Sequence, residues 1–202
     1  SSSPALSDDG TVYIGSHSGI FYALDGQNGN KKWEYVTGGE INSSPVIGTD
    51  NTVYFGSGDN RFYALDGQTG EKKWDFLTND IVGGPVAPTI GSDGVIYFGS
   101  FDMKVYALNG QSGVKLWDFS TASHNQTFAA LSHNKILYIS SRDKNLYAIQ
   151  ASSGPASSPW PTGGQNNQRT GLDQATAQLP NTSPTDLNST IPLTIAENQP
   201  IG

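Results

Sequence analysis

Short apolar runs separated by turn-forming clusters recur along the whole first part of the chain. The stretch around residues 44–76 shows the pattern most plainly. Ser44-Pro-Val-Ile-Gly, Thr52-Val-Tyr-Phe-Gly-Ser, Arg61-Phe-Tyr-Ala-Leu-Asp and Lys72-Lys-Trp-Asp-Phe are four runs rich in β-branched and aromatic residues, each of strand length and composition. Between them lie Thr49-Asp-Asn, Gly58-Asp-Asn and Asp66-Gly-Gln-Thr-Gly, residues that tolerate positive φ or bond their own backbone in tight turns. The pattern predicts a meander of four antiparallel strands.

That unit repeats. The segments beginning at Phe21, Phe62, Val105 and Leu146 align through their tyrosines, Tyr22, Tyr63, Tyr106 and Tyr147, at steps of 41, 43 and 41 residues. The tryptophans, Trp33, Trp74, Trp117 and Trp160, follow those tyrosines by eleven to thirteen residues, which accounts for every tryptophan in the chain. A four-stranded sheet apolar on both faces must bury them against neighbours, and a period of roughly 40–45 residues is that of propeller blades. The expected fold is all-β, a β-propeller of four four-stranded antiparallel blades at about 3–35, 43–76, 85–119 and 127–160. The small residues Ala23, Ala64, Ala107 and Ala148 let neighbouring blades approach. With contiguous strands no strand is borrowed across a seam. Four is the low end of known blade numbers, so a small closed ring, part of a longer chain and a half-ring completed by a second copy all remain open.

The opening Ser-Pro-x-Ile, the Thr52-Val-Tyr-Phe-Gly-Ser run and Tyr63-Ala-Leu-Asp-Gly-Gln-Thr-Gly followed by Trp74, in four registered copies over about residues 1–162, resemble the pyrroloquinoline-quinone-like repeat of quinoprotein dehydrogenases. The same repeat builds non-enzymatic propellers such as the outer-membrane β-barrel assembly lipoprotein. Pro159-Trp-Pro-Thr with Arg169-Thr-Gly is similar to a segment at the ends of such propellers. The resemblance implies a propeller fold but not an activity. In active relatives a quinone lies over a tryptophan, commonly beside a vicinal cysteine pair, with Glu, Asn and Asp around calcium. Here there is no cysteine, and the tryptophans are committed to the blade motif. Asp25, Asp59, Asp66, Asp93, Asp102 and Asp143 sit at repeat turns, where calcium would need several convergent oxygens. The resemblance is therefore to the non-enzymatic type, with no cofactor or metal expected.

Composition narrows the partners. A formal net charge of −7 does not suit a phosphate-gripping surface, so nucleic acid is not expected. No run reaches the apolar length of a membrane span, and no leader opens the chain. His17, His124 and His133 lack zinc spacing, and neither a Gly-x-Ser-x-Gly elbow nor a phosphate-cradling loop occurs. Lys31-Lys32 and Lys72-Lys73 read as solvated outer-strand residues that discourage edge pairing.

Residues 163–188 form a Ser/Thr/Pro/Asn/Gln-rich linker and 189–202 a strand-like tail. In the tail Ile191, Leu193 and Ile195 alternate with Thr190, Pro192 and Thr194, a period of two, and Pro192 confines any strand there to an edge. Three readings follow: an untethered terminus, a strand that docks on its own propeller, or a donor strand pairing with a neighbouring molecule through Thr190, Ile191, Leu193, Thr194 and Ile195. Asn125, Asn181 and Asn188 head glycosylation triplets. The function expected is a non-catalytic extracellular or cell-surface module that binds proteins, first of all copies of itself, in filaments joined by strand exchange. The alternatives are a periplasmic interaction scaffold like the assembly lipoprotein and a fragment of a quinone-dependent dehydrogenase.

Overall fold

The computed structural model describes residues 2–82, 84, 87–125, 129–158 and 160–162, with the backbone of 193–196. The described residues are all-β, in four four-stranded sheets. Blade one contains β1 (Ala5–Leu6), β2 (Thr11–Gly15), β3 (Ile20–Asp25) and β4 (Lys31–Val36). Blade two has β5 (Val46–Ile47), β6 (Thr52–Gly56), β7 (Arg61–Asp66) and β8 (Lys72–Leu77). Blade three has β9 (Thr89–Ile90), β10 (Val95–Gly99), β11 (Lys104–Asn109) and β12 (Lys115–Ser120). Blade four has β13 (Ala130–Leu131), β14 (Ile136–Ser140), β15 (Leu146–Gln150) and β16 (Leu193–Ala196). The first three sheets are antiparallel meanders in chain order. In each, the alanine of the third strand faces the tryptophan of the fourth: Ala23 with Trp33, Ala64 with Trp74, Ala107 with Trp117. A register shift follows each alanine, and the local bend it introduces adds to sheet twist.

The turns recur as faithfully as the strands. The position closing the first turn has positive φ in every blade, filled by Gly10, Asn51, Gly94 and Lys135, and the second turn likewise by Gly19, Asn60, Met103 and Lys144.

Blades stack face to face through three apolar clusters. Blade one meets two through Tyr13, Phe21, Val53, Phe55 and Leu65. Blade two meets three through Tyr54, Phe62, Ile96, Phe98 and Leu108, and three meets four through Tyr97, Val105, Leu137, Ile139 and Ile149. Phe21 stacks on Phe55 and Phe62 on Phe98, each with ring centroids 4.0 Å apart. Among the described residues no such cluster joins blade four to blade one. Burial shows the same thing. Every residue of β6 and β10 is buried, whereas β2 and β14 bury only alternate residues. Among the described residues the four blades form an open array whose first and last sheets each have one covered face.

Blade four departs from the expected contiguous plan. After β15 the chain turns inward instead of adding a fourth strand. Residues 154–158 and 160–162 run along the free edges of β5 and β9: Ile47 N–H donates to the Trp160 carbonyl at 2.8 Å, Ile90 N–H to Pro161 at 3.0 Å and Ala156 N–H to Ile90 at 2.9 Å. Trp160 thus packs against the cluster between blades one and two and lies on no outer strand. The prolines on both sides of it cannot donate to a continuous ladder. The outermost place in blade four goes to β16, which pairs parallel to β15, Leu146 opposite Leu193 and Ala148 opposite Ile195.

Candidate interaction surface

The motif residues are used at the joints between blades. Tyr13 O–H and Trp33 Nε1–H both donate to the Gly67 carbonyl of the next blade, at 2.9 and 3.0 Å. One joint on, Tyr54 and Trp74 donate to Gly110 at 3.1 and 2.9 Å. In the third, Tyr97 meets the Ser152 hydroxyl at 2.9 Å. At the opposite end of each joint an aspartate of the following blade accepts a backbone N–H from the preceding one: Gly38 to Asp59 at 2.8 Å, Asn79 to Asp102 at 3.2 Å and Ala122 to Asp143 at 3.0 Å. The same carboxylates accept the hydroxyls of Tyr63, Tyr106 and Tyr147, each at 2.6 Å. Burial and then the neighbouring carboxylate hold the Tyr63 and Tyr106 phenols well above their ordinary value, so they act as fixed donors. For Asp143, burial would raise its pKa. The hydrogen bonds it accepts from Tyr147, Asn145 and Ala122 outweigh that and hold it below the ordinary 3.8.

The outer strands carry paired charges. Asp75 on β8 bonds Arg61 of β7 and Lys72, and Asp118 on β12 bonds Lys104 of β11 and Lys115. Burial alone would raise the Asp75 carboxyl, but its two cations hold it low. The hydrogen bonds of Lys104 and Lys115 do the same for Asp118. Among the described residues no cluster of His, Asp and Glu could hold a metal ion. His17 approaches Glu40 at 3.1 Å at the surface, and His124 bonds the Phe101 carbonyl. A cleft of about 300 Å³ lies between the turns of blades two and three, lined by Thr49, Asp50, Tyr54, Ser92 and Gln111. Ile90 and Ala156 also line it.

The exposed large apolar side chains fall in several places, with Leu6, Val114 and Leu116 outside the two groups that follow and Val114 at the turn joining β11 and β12. Val36, Leu77 and Met103, at 66%, 60% and 44% exposed, share the end of the array where the second and third strands of each blade are joined. Tyr138 and Leu146 are exposed on the uncovered face of blade four.

Of the residues singled out in the sequence, Tyr63, Tyr106, Tyr147, Trp33, Trp74 and Trp117 occupy the joints, while Tyr22 lies on the uncovered side of blade one. Asn125 is fully buried and donates its amide to Thr121, which closes it to a glycan in the folded array. Asn181, Asn188, Thr190 and Ile191 lie outside the described residues. Leu193, Thr194 and Ile195 belong to β16, within the chain's own blade four. The clasp aspartates looked like ordinary turn residues. Their recurrence four residues before Tyr63, Tyr106 and Tyr147 was the signal that they serve the joints.

A family model described as outer membrane protein assembly factor BamB matches residues 1–177. Among solved structures, the crystal structure of BamB from Moraxella catarrhalis superposes with a TM-score of 0.66 at 21% identity. The match covers 76% of this chain and 47% of that one, so this chain spans less than half of the structure it resembles. No curated protein matches it in sequence.

Proposed function

The chain belongs to the family of the outer membrane protein assembly factor BamB, and on that premise we propose that it is a non-catalytic scaffold for protein contacts, acting in the periplasm on outer membrane protein assembly. The observation that supports this is how the recurring chemistry of the repeat is spent. The tyrosines, the aspartates and two of the tryptophans hold blade to blade, leaving turns and apolar side chains to meet a partner. The docking end is taken to be the one bearing Val36, Leu77 and Met103, because it gathers exposed apolar side chains from all of the first three blades, whereas the turns joining third and fourth strands at the opposite end bring Val114 of blade three alone.

Photo-crosslinkers at positions 36, 77 and 103, compared with positions 27, 68 and 111 at the opposite end, test this in a bacterium making the chain. The expected outcome is crosslinks to outer membrane assembly proteins from the first set alone. Crosslinks from neither set, or dye reduction by the purified chain supplied with quinone and calcium, would overturn it. Filament formation by tail exchange would require β16 to leave the sheet in which it is the last strand. The scaffold reading needs no such step.

A further inference from the structure

Residues 154–158 and 160–162 form a strap over the inner edges of blades two and three, and among the described residues it is the contact with the most unmet polar groups. Four buried side-chain atoms there have no hydrogen-bond partner: Ser158 Oγ, Trp160 Nε1 and Thr162 Oγ1 of the strap, and Thr89 Oγ1 of β9 opposite Thr162. No other described residue has such an atom. Trp33 and Trp74, by contrast, each donate Nε1–H to a glycine carbonyl of the next blade. A buried donor or acceptor left unpaired forfeits the hydrogen bond it makes to water when exposed, so these atoms favour release of the strap.

The strap is also a poor strand. Its sequence Gly154-Pro-Ala-Ser-Ser-Pro-Trp-Pro-Thr has one β-branched residue, and its prolines at 155, 159 and 161 have no N–H for a ladder. It offers the carbonyls of Gly154, Trp160 and Pro161 to Ser92, Ile47 and Ile90, and returns the Ala156 N–H to Ile90. Its anchors on the clusters between blades are Trp160 and Ala156. The edges beneath it are ordinary strand edges, since β5 and β9 each stand first in their sheets with no blade strand on their inner side. A segment with an N–H at every residue and apolar side chains at alternate positions suits such edges better than the strap does.

We propose that the inner edges of β5 and β9 are an acceptor site for an extended segment of a partner polypeptide, and that the strap is the chain's own weak occupant, which that segment displaces. The segment carries apolar residues at alternate positions and a bulky one in the place of Trp160. Main-chain hydrogen bonds give affinity in this mode and side-chain pockets give specificity. Alternation of apolar and polar residues is the pattern of an outer-membrane barrel strand. The proposal therefore rests on the assembly reading above and names the class of segment that the scaffold holds.

A disulfide that locks the strap is the test. Ile90 N–H donates to Pro161, which makes Thr89 and Thr162 a non-hydrogen-bonded antiparallel pair, and such pairs have the Cα separation that a disulfide spans. The chain has no cysteine, so Thr89→Cys/Thr162→Cys compares oxidised and reduced forms of one chain. The probe is a fluorescein-labelled peptide, Lys-Thr-Val-Thr-Trp-Thr-Val-Thr-Lys, read by fluorescence anisotropy. The expected result is binding by the parent and by the reduced variant, weakened about tenfold or more on oxidation. The peptide with serine for its valines and tryptophan should not bind. Trp160→Ala, which removes the strap's main anchor, should tighten binding about tenfold. Equal binding by the oxidised and reduced forms, no binding by the parent, or binding unchanged by Trp160→Ala would each overturn the proposal. Dimers of the reduced form that the lock prevents would do so too, by assigning the edges to a second copy's strap. Crosslinks from positions 36, 77 and 103 that persist when the peptide fails leave the scaffold reading standing, and peptide binding without those crosslinks leaves the acceptor site standing alone.

Discussion

At the scale of residues, the repeat is held by a few groups that each do two things. The Gly110 carbonyl accepts from both Tyr54 and Trp74, so either donor alone still satisfies it. Tyr54→Phe should cost about 1 kcal/mol, and Tyr54→Phe with Trp74→Phe more than the sum of the singles, because only the pair leaves the acceptor bare. Urea denaturation in a double-mutant cycle measures this. Gly70 has φ +75° and a Cβ there would stand 2.7 Å from the Trp33 ring of the preceding blade. Gly70→Ala should therefore destabilise by about 2–3 kcal/mol, for backbone strain and overpacking together. Met103 is the opposite case, a bulky side chain at φ +65° in a turn whose counterparts include Gly19 and Asn60. Met103→Gly should raise stability by about 1 kcal/mol, readable as a higher melting temperature.

At the scale of elements, the outer two strands of blades two and three are tied by Asp75 and Asp118, whose cations lower their carboxyls below the ordinary 3.8. Asp9, at the first turn of blade one, is lowered to about 2 by the Ser7 and Thr11 hydroxyls. A depressed folded-state value means stability that is fully present above the unfolded value and lost as pH falls through the folded one. The melting temperature should be flat between about pH 5 and about pH 9 and fall from pH 5 towards pH 2, and Asp75→Asn with Asp118→Asn should flatten that fall. Above about pH 10 a second fall is expected, because the buried Tyr63 and Tyr106 phenols resist ionisation in the folded chain. A fall between about pH 5 and about pH 9 would contradict the assignment. The four-strand meander, its turns and the blade period were legible in the sequence because each apolar run and each Asp-Gly turn recurs in register. Blade four was less so, although the signal was present. Trp160 follows Tyr147 by thirteen residues where the other three tryptophans follow by eleven, it lies between two prolines, and Gln150-Ala-Ser replaces Asp-Gly-Gln. The pairing of β16 with β15 was less visible still. A parallel partner some forty residues away leaves no local pattern, and alternation alone does not choose between a chain's own sheet and another.

At the scale of the whole molecule, repetition produced the same apolar faces on all four blades, and only their order along the chain decides which are covered. Periodicity is blind to that order, which is why the residues of the joints could be read from the sequence and the open ends could not. The strap that pairs Pro155, Trp160 and Thr162 with β5 and the β9 segment ties blades two, three and four at their inner edges, and among the described residues nothing covers the two end faces. A four-blade ring closed on itself would instead bury Tyr138, Leu146 and Ile14 within one chain. Hydrogen exchange separates these arrangements directly. An open array predicts slow exchange in β6, β7, β10 and β11 and faster exchange in β2, β3, β14 and β15, with the slowest amides at the middle joint. Equal protection of all four blades would mean that blade four packs on blade one, and would contradict the open array on which the account rests.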